Sequence, residues 1–215
     1  MNDLCIIAGA MDPGKIAPVP PNSLLIAADG GLVHLERRGL VPDLIVGDFD
    51  SLGRVPEGRN IIRHPVEKDD TDTMLAIKTG LSRGYRSFIL YGCLGGRLDH
   101  AYANLQSLSY LADRGASGWL LGRGMAATVI RNCRLDFSPG HQGTISVFCP
   151  DGESRGVDLA GLHYPLHDAV LTSAFPLGVS NQFTGNAASV SVRDGSLLVM
   201  WEFPEGQLPE QVEKC

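Results

Sequence analysis

Phe88-Ile89-Leu90-Tyr91-Gly92-Cys93-Leu94-Gly95-Gly96-Arg97-Leu98-Asp99-His100 passes from an apolar run, through glycines, into the start of a helical pattern. The run ending at Tyr91 is short and uniformly apolar, which suits a strand buried in a sheet covered on both faces. Beyond the glycines, Ala101, Leu105, Leu108 and Ala112 recur at three- and four-residue spacing, which predicts a helix over Asp99–Arg114 stopped by Gly115. A strand, a glycine turn and a helix in succession are the repeating unit of an α/β fold.

The unit recurs on both sides of this stretch. Strands are predicted at Leu4–Ala8, Leu24–Ala28, Leu44–Val46, Asn60–Ile62, Phe88–Tyr91 and Trp119–Leu121. Helices fall between them near Gly31–Arg38, Thr71–Arg83 and Asp99–Arg114, the second carrying Met74, Ile77 and Leu81 on one face. Residues 1–122 are therefore expected to form a doubly wound, mostly parallel sheet. After Gly122 the helical period disappears. Ala127–Ile130, Thr144–Phe148, Ser189–Arg193 and Leu197–Trp201 read as strands, with Asp194-Gly195-Ser196 as a hairpin turn between the last two. Residues 123–215 are expected to form a small β-sandwich whose tail frays from Pro204.

Three acidic clusters follow the apolar runs: Gly47-Asp48-Phe49-Asp50-Ser51, Asp69-Asp70-Thr71-Asp72, and the Asp99-His100 end of the glycine loop. Ligands of open α/β sheets bind at the carboxyl ends of strands, so these clusters can meet in one crevice. Carboxylates gathered at one point repel each other unless a cation lies between them, which points to a Mg²⁺-nucleotide site. Asp48 and Asp50 are two apart, and in extended chain both can face one ion. Taken alone, the pair reads first as a solvated turn with an Asp cap, and it is the neighbouring clusters that reverse this. Asp69 or Asp70 can cap a helix with Asp72 in its first turn, but three carboxylates exceed what a cap needs. Gly95 and Gly96 let backbone amides approach a phosphate, and Arg97 offers a two-pronged donor. Asp29-Gly30-Gly31 repeats the theme at another strand-to-helix junction, although by itself it is an ordinary turn.

Other features narrow the classes. Gly9-Ala10-Met11-Asp12-Pro13-Gly14-Lys15 imitates a phosphate-binding P-loop, but Ile16 stands where a metal-binding hydroxyl is needed and Pro18 interrupts the expected helix. The net charge of −6, with no Lys/Arg block, argues against a nucleic-acid partner. Five scattered cysteines form no Cys-x-x-Cys pair, so a zinc knuckle is not expected. The N-terminus carries no signal-like segment and no run reaches membrane-spanning length, so a cytoplasmic protein without a membrane partner is expected.

These segments together resemble the thiamine pyrophosphokinase (thiamine diphosphokinase) family. The resemblance rests on Asp29-Gly30-Gly31, Pro42 through Ser51, Lys68 through Asp72, and Gly92 through His100 with Asn104 beyond. It continues in Gly161-Leu162-His163-Tyr164-Pro165-Leu166 and Gly178-Val179-Ser180-Asn181, and so spans nearly the whole chain. It implies pyrophosphoryl transfer from ATP to thiamine, a catalytic α/β domain over 1–122 and a thiamine-binding β-sandwich over 123–215. It further implies a homodimer whose thiamine site draws on both subunits. Carried over by position, Asp48, Asp50 and Asp72 would hold Mg²⁺ with Asp29 close by, while Gly30, Gly31, Gly95, Gly96 and Arg97 would cradle the triphosphate. Asp99 would orient substrate or help its hydroxyl shed a proton, with His100 beside it. Ser180, Asn181 and Phe183 match the segment that meets thiamine, Phe183 as a stacking surface. Eukaryotic members carry a longer Ser/Thr-rich version of that segment, where this chain has Gly178-Val179.

Two other readings fit the same residues. One is a diphosphokinase for another heterocyclic alcohol, such as a hydroxymethylpterin, sharing the Mg-ATP half. The other is a ligand-binding module that keeps the fold without turnover.

Overall fold

The uniformly apolar runs become the centre of a large sheet. A computed structural model describes residues 4–49, 60–63 and 69–209. Strands β1 (Leu4–Ala8), β2 (Leu24–Ala28), β3 (Leu44–Gly47), β4 (Ile61–Arg63), β5 (Ser87–Tyr91) and β6 (Ser117–Gly122) pair in parallel in the order β6-β5-β1-β2-β3-β4. Helix α1 (Gly31–Glu36) covers one face; α2 (Asp72–Ser82) and α3 (Leu98–Ala112) cover the other. Alternate residues of each strand serve the two layers: in β1, Ile6 and Ala8 pack toward Leu32 and Leu35 of α1, Cys5 and Ile7 toward Ala76 and Ile77 of α2.

The sheet does not stop at Gly122. A two-residue turn returns the chain as β7 (Met125–Arg131), antiparallel to β6, with Leu121 opposite Ala126. Strands β9 (Thr144–Phe148), β12 (Gly178–Gln182) and β14 (Ser196–Glu202) extend it to ten strands, in the order β12-β9-β14-β7 before β6. A second antiparallel sheet, β11-β10-β13-β8, joins β8 (Arg134–Phe137), β10 (Glu153–Ala160), β11 (Leu166–Thr172) and β13 (Ala188–Asp194). It packs on the face that α1 covers farther along, so Leu135, Val157 and Val190 share one core with Ile145, Leu197 and Trp201. The fold is thus α/β with a β-sandwich, the two built on a shared sheet.

Three expectations are corrected. Asp194-Gly195-Ser196 is a corner rather than a hairpin, because β13 pairs with β8 and β10 in one sheet and β14 with β7 and β9 in the other. Gly195, at φ +112°, turns the chain between sheets and exchanges hydrogen bonds with Asn132. Residues 204–209 are not frayed. The Glu205 carboxylate accepts the Lys15 N–H, and Leu208 packs against the sandwich core. The cap of α2 is Thr71, whose hydroxyl accepts the Met74 N–H, rather than Asp69 or Asp70.

Candidate active site

The strand order turns back at β1: β2, β3 and β4 lie to one side, β5 and β6 to the other. Such a switch point opens a crevice at the carboxyl ends of the strands. Its floor is well tied. The Gly9 N–H donates to the Tyr91 carbonyl at 2.7 Å, and the Met11 N–H to the Gly92 carbonyl at 3.0 Å. Gly92 and Gly96 lie at φ +65° and +67°, and a methyl group on either would strike Met11. Torsion demands glycine at both, and at Gly92 the Met11 carbonyl also leaves no room for a side chain. The P-loop imitation at Gly9–Lys15 leads into no helix; the next element is β2.

Asp29 and Asp48 leave adjacent strands of this edge. The Asp29 N–H donates to the Val46 carbonyl at 2.8 Å, and Asp29 is buried at φ +44°. A side chain on Gly47 would crowd its Cα and Cβ at 3.3 Å, so Gly47 lets Asp29 sit against the end of β3. Half-buried Asp48 follows directly. Gly30 and Gly31 open α1, and Gly31 lies so close to the Ala8 carbonyl that no side chain fits.

Asp72 is the first residue of α2. Its neighbour Thr73 hydrogen-bonds the Cys93 thiol, which fastens the helix start to the exit of β5. Asp72 therefore shares the edge with Asp29 and Asp48. Asp70 is committed elsewhere, with both carboxylate oxygens 2.7 Å from Lys78 Nζ, and Asp69 is exposed. Asp50, expected to complete the acidic set, lies outside the described residues. Among the described residues no three acidic, histidine or cysteine side chains are gathered as a metal site. Mg²⁺ commonly uses one or two carboxylates plus phosphate oxygens and waters, so Asp48 and Asp72 are a fitting donor set.

At the start of α3, Arg97 forks onto Asp99: Nε to Oδ1 at 3.2 Å and Nη2 to Oδ2 at 2.7 Å. The His100 N–H adds a third bond to Asp99 at 2.9 Å. The Arg97 hydrogen bond, then the His100 amide, hold the Asp99 carboxyl down at about 2. A carboxylate held this low is a weak base, which favours orientation over proton removal as the role of Asp99. Burial pushes the Cys93 thiol up to about 12, which disqualifies it as a nucleophile. Asn104, part of the quoted motif but given no role from sequence, is buried and donates to the Cys93 carbonyl at 2.8 Å.

The sandwich residues lie elsewhere in the chain's own fold. Five strand steps separate β12 from β5, roughly 20–25 Å at the usual spacing between strands. One subunit does not bring Ser180–Phe183 to the acidic edge. Ser180 is exposed at φ +59°. The Asn181 side chain is consumed by Tyr164, accepting its N–H at 2.9 Å and donating to its carbonyl at 2.7 Å. Phe183 is only 8% exposed and packs edge-on against Phe137, 5.0 Å between ring centres. The stacking surface expected of Phe183 is thus turned into the core. Tyr164, held by Asn181, is 62% exposed, and Phe175 is 64% exposed.

Two family models match the chain: "Thiamin pyrophosphokinase, catalytic domain" over residues 19–119, and "Thiamin pyrophosphokinase, vitamin B1 binding domain" over residues 132–197. The chain belongs to the thiamin pyrophosphokinase family. It is accordingly an enzyme of the thiamine diphosphokinase class. Thiamine pyrophosphokinase of Bacillus subtilis is 26% identical over 211 aligned residues, covering 93% of this chain and 98% of the relative. The crystal structure of a thiamine pyrophosphokinase from Bacillus subtilis superposes with a TM-score of 0.81 at 23% identity, covering 94% of this chain and 99% of that one. Thiamin pyrophosphokinase from Candida albicans gives a TM-score of 0.74 at 15% identity, covering 94% and 90%. At such identities the structural likenesses establish the shared thiamin pyrophosphokinase fold.

Proposed function

We propose that the protein transfers a pyrophosphoryl group from Mg-ATP to thiamine, giving AMP and thiamine diphosphate. The observation that carries this reading is the joining of a glycine loop and acidic strand ends at one switch point, in a chain whose other half matches a vitamin B1-binding model. The thiamine hydroxyethyl oxygen attacks the β-phosphorus of ATP, the bond from that phosphorus to the α–β bridging oxygen breaks, AMP leaves, and the hydroxyl proton passes to solvent. Such transfers need charge neutralisation and alignment more than a covalent nucleophile. Mg²⁺ supplies charge neutralisation across the phosphates when bound, and Asp48, Asp50 and Asp72 would hold it. Asp29 adds negative charge beside that set. Gly30, Gly31, Gly95 and Gly96 let the backbone approach the triphosphate, while Arg97 and Asp99 orient groups at the start of α3, with His100 next to them.

Residues 1–122 carry the nucleotide and residues 123–215 carry thiamine in this reading. The separation of β12 from β5 supports a homodimer in which one subunit's sandwich faces the other's acidic edge. Phe175, Leu177, Val179 and Tyr164 are large exposed apolar side chains on the segments around Asn181, suited to such a contact. Tyr164, Ser180 and the Asn181-held backbone are its thiamine-facing groups. No described helix is long and apolar enough to cross a membrane. The buried thiols of Cys5, Cys93 and Cys149 suit the reducing cytoplasm.

Mass spectrometry of the products after incubation with thiamine, ATP and Mg²⁺ tests the reaction. Equal amounts of AMP and thiamine diphosphate are expected. ADP with thiamine monophosphate would refute it, and a panel of other heterocyclic alcohols checks the acceptor.

A further inference from the structure

Arg123 sits in the two-residue turn between β6 and β7, one strand over from the glycine loop that leaves β5. Its guanidinium lies along that loop: a Cβ built on Gly95 would meet Arg123 Nε at 3.3 Å and Cζ at 3.4 Å. Arg97, the arginine that the sequence motif supplies, has both prongs on Asp99. Arg123 is exposed and has no carboxylate or carbonyl acceptor among the described residues. Its backbone is also costly. At φ +54° it occupies the left-handed region, where glycine or asparagine is the ordinary choice for such a turn. The two-residue turn accounts for the torsion, Gly124 following at φ +73°, but not for the choice of arginine; an exposed, uncommitted cation resting on a glycine loop signals a ligand contact.

We propose that Arg123 binds the polyphosphate of the nucleotide above Gly95 and Gly96. The proposal rests on the reading of this edge as the ATP site. It adds a contact from the hairpin turn that joins the two halves of the chain. A guanidinium pairs with phosphate oxygens through two parallel N–H bonds, which a lysine only partly reproduces.

The test is isothermal titration of Mg-ATP and of inorganic tripolyphosphate into wild type, Arg123→Gly, Arg123→Lys and the sandwich control Arg155→Ala. Arg123→Gly relaxes the left-handed turn, so its thermal midpoint should equal or exceed that of wild type. Its affinity for both ligands should nonetheless fall by about tenfold. Arg123→Lys should recover part of the loss, and Arg155→Ala should match wild type. In steady state the KM for ATP should rise more than the KM for thiamine. Unchanged affinity in folded Arg123→Gly would overturn the assignment, as would a wild-type protein that binds neither ligand. Polyphosphate binding that depends on Arg123, in a wild-type protein that forms no thiamine diphosphate, would uphold the arginine and remove the proposed reaction instead.

Discussion

The side-chain amide of Asn104 donates to the carbonyl of Cys93 at 2.8 Å, joining the second turn of α3 to the loop that leaves β5. Both residues are buried, so the carbonyl has no water to fall back on. The bond fixes the base of the segment whose left-handed glycines form the proposed phosphate cradle.

Replacing Asn104 with Leu keeps the volume but leaves that carbonyl unsatisfied. A loss of about 1–3 kcal/mol in stability is expected, the ordinary cost of an orphaned buried polar group. The KM for ATP should rise more than the KM for thiamine, because the loop loses its anchor while the sandwich is untouched. Denaturant unfolding together with both KM values checks this. A destabilised variant with unaltered KM for ATP would confine Asn104 to holding the fold.

The Arg97–Asp99 fork sets a pH dependence. The folded pKa of Asp99 is depressed to about 2, below its ordinary value of 3.8. The pair's stabilisation is therefore present above about pH 4 and is lost as pH falls through about 2. Ionisation of Asp99 should add no limb to the pH–rate profile above about pH 4. Carboxyl NMR should place the Asp99 midpoint near 2 in wild type, moving up toward 3.8 in Arg97→Ala. An Asp99 midpoint near neutrality would restore it as a proton acceptor.

Asp48→Asn and Asp72→Asn should each cut turnover by roughly 10²-fold or more, about 2.7 kcal/mol of barrier. Both substitutions keep shape and remove charge at the strand-end edge. Raising Mg²⁺ should recover part of the activity if the lost group is a metal ligand. Lys15→Ala should do far less, since Lys15 lies in a loop that leads into no helix and its N–H is bound to Glu205. Steady-state assays over a Mg²⁺ series check the contrast; a severe loss at Lys15 with mild losses at the aspartates would reverse it.

The parallel half was legible because its strands are buried on both faces and hence uniformly apolar. Leu4–Ala8 and Leu24–Ala28 match their predicted bounds residue for residue. The sandwich was legible only in its inner strands. β11 is an edge strand with one buried residue in seven, and β12 is short and polar at the other sheet's edge, so neither carries an apolar alternation. In β10, register shifts beside Gly156, at φ +64°, break the period. Asp194-Gly195 misleads because local turn chemistry does not reveal which sheet the next strand joins. Site residues at strand ends could be read from glycine and aspartate spacing. Arg123 could not, because nothing local links a turn residue to a loop that begins thirty-one positions earlier.

The proposed aromatic contact to thiamine is assigned to Tyr164 instead of Phe183, and stability measurements can separate the two roles from binding. Phe183 is packed edge-on against Phe137 and tilted against His141, 5.3 Å between ring centres, with its own N–H on the Gly143 carbonyl. Phe183→Ala should cost about 3–5 kcal/mol, the usual penalty for emptying an aromatic core position. Any rise in its thiamine KM should shrink under conditions that restore the fold, such as lower temperature or stabilising osmolyte. Tyr164 is 62% exposed, so Tyr164→Ala should change stability little. Its thiamine KM should rise several-fold with the KM for ATP unchanged, and Tyr164→Phe should behave like wild type because stacking needs the ring. Thermal unfolding of both variants beside their two KM values decides the matter. A stable Phe183→Ala protein with a selectively raised thiamine KM would return the stacking role to Phe183.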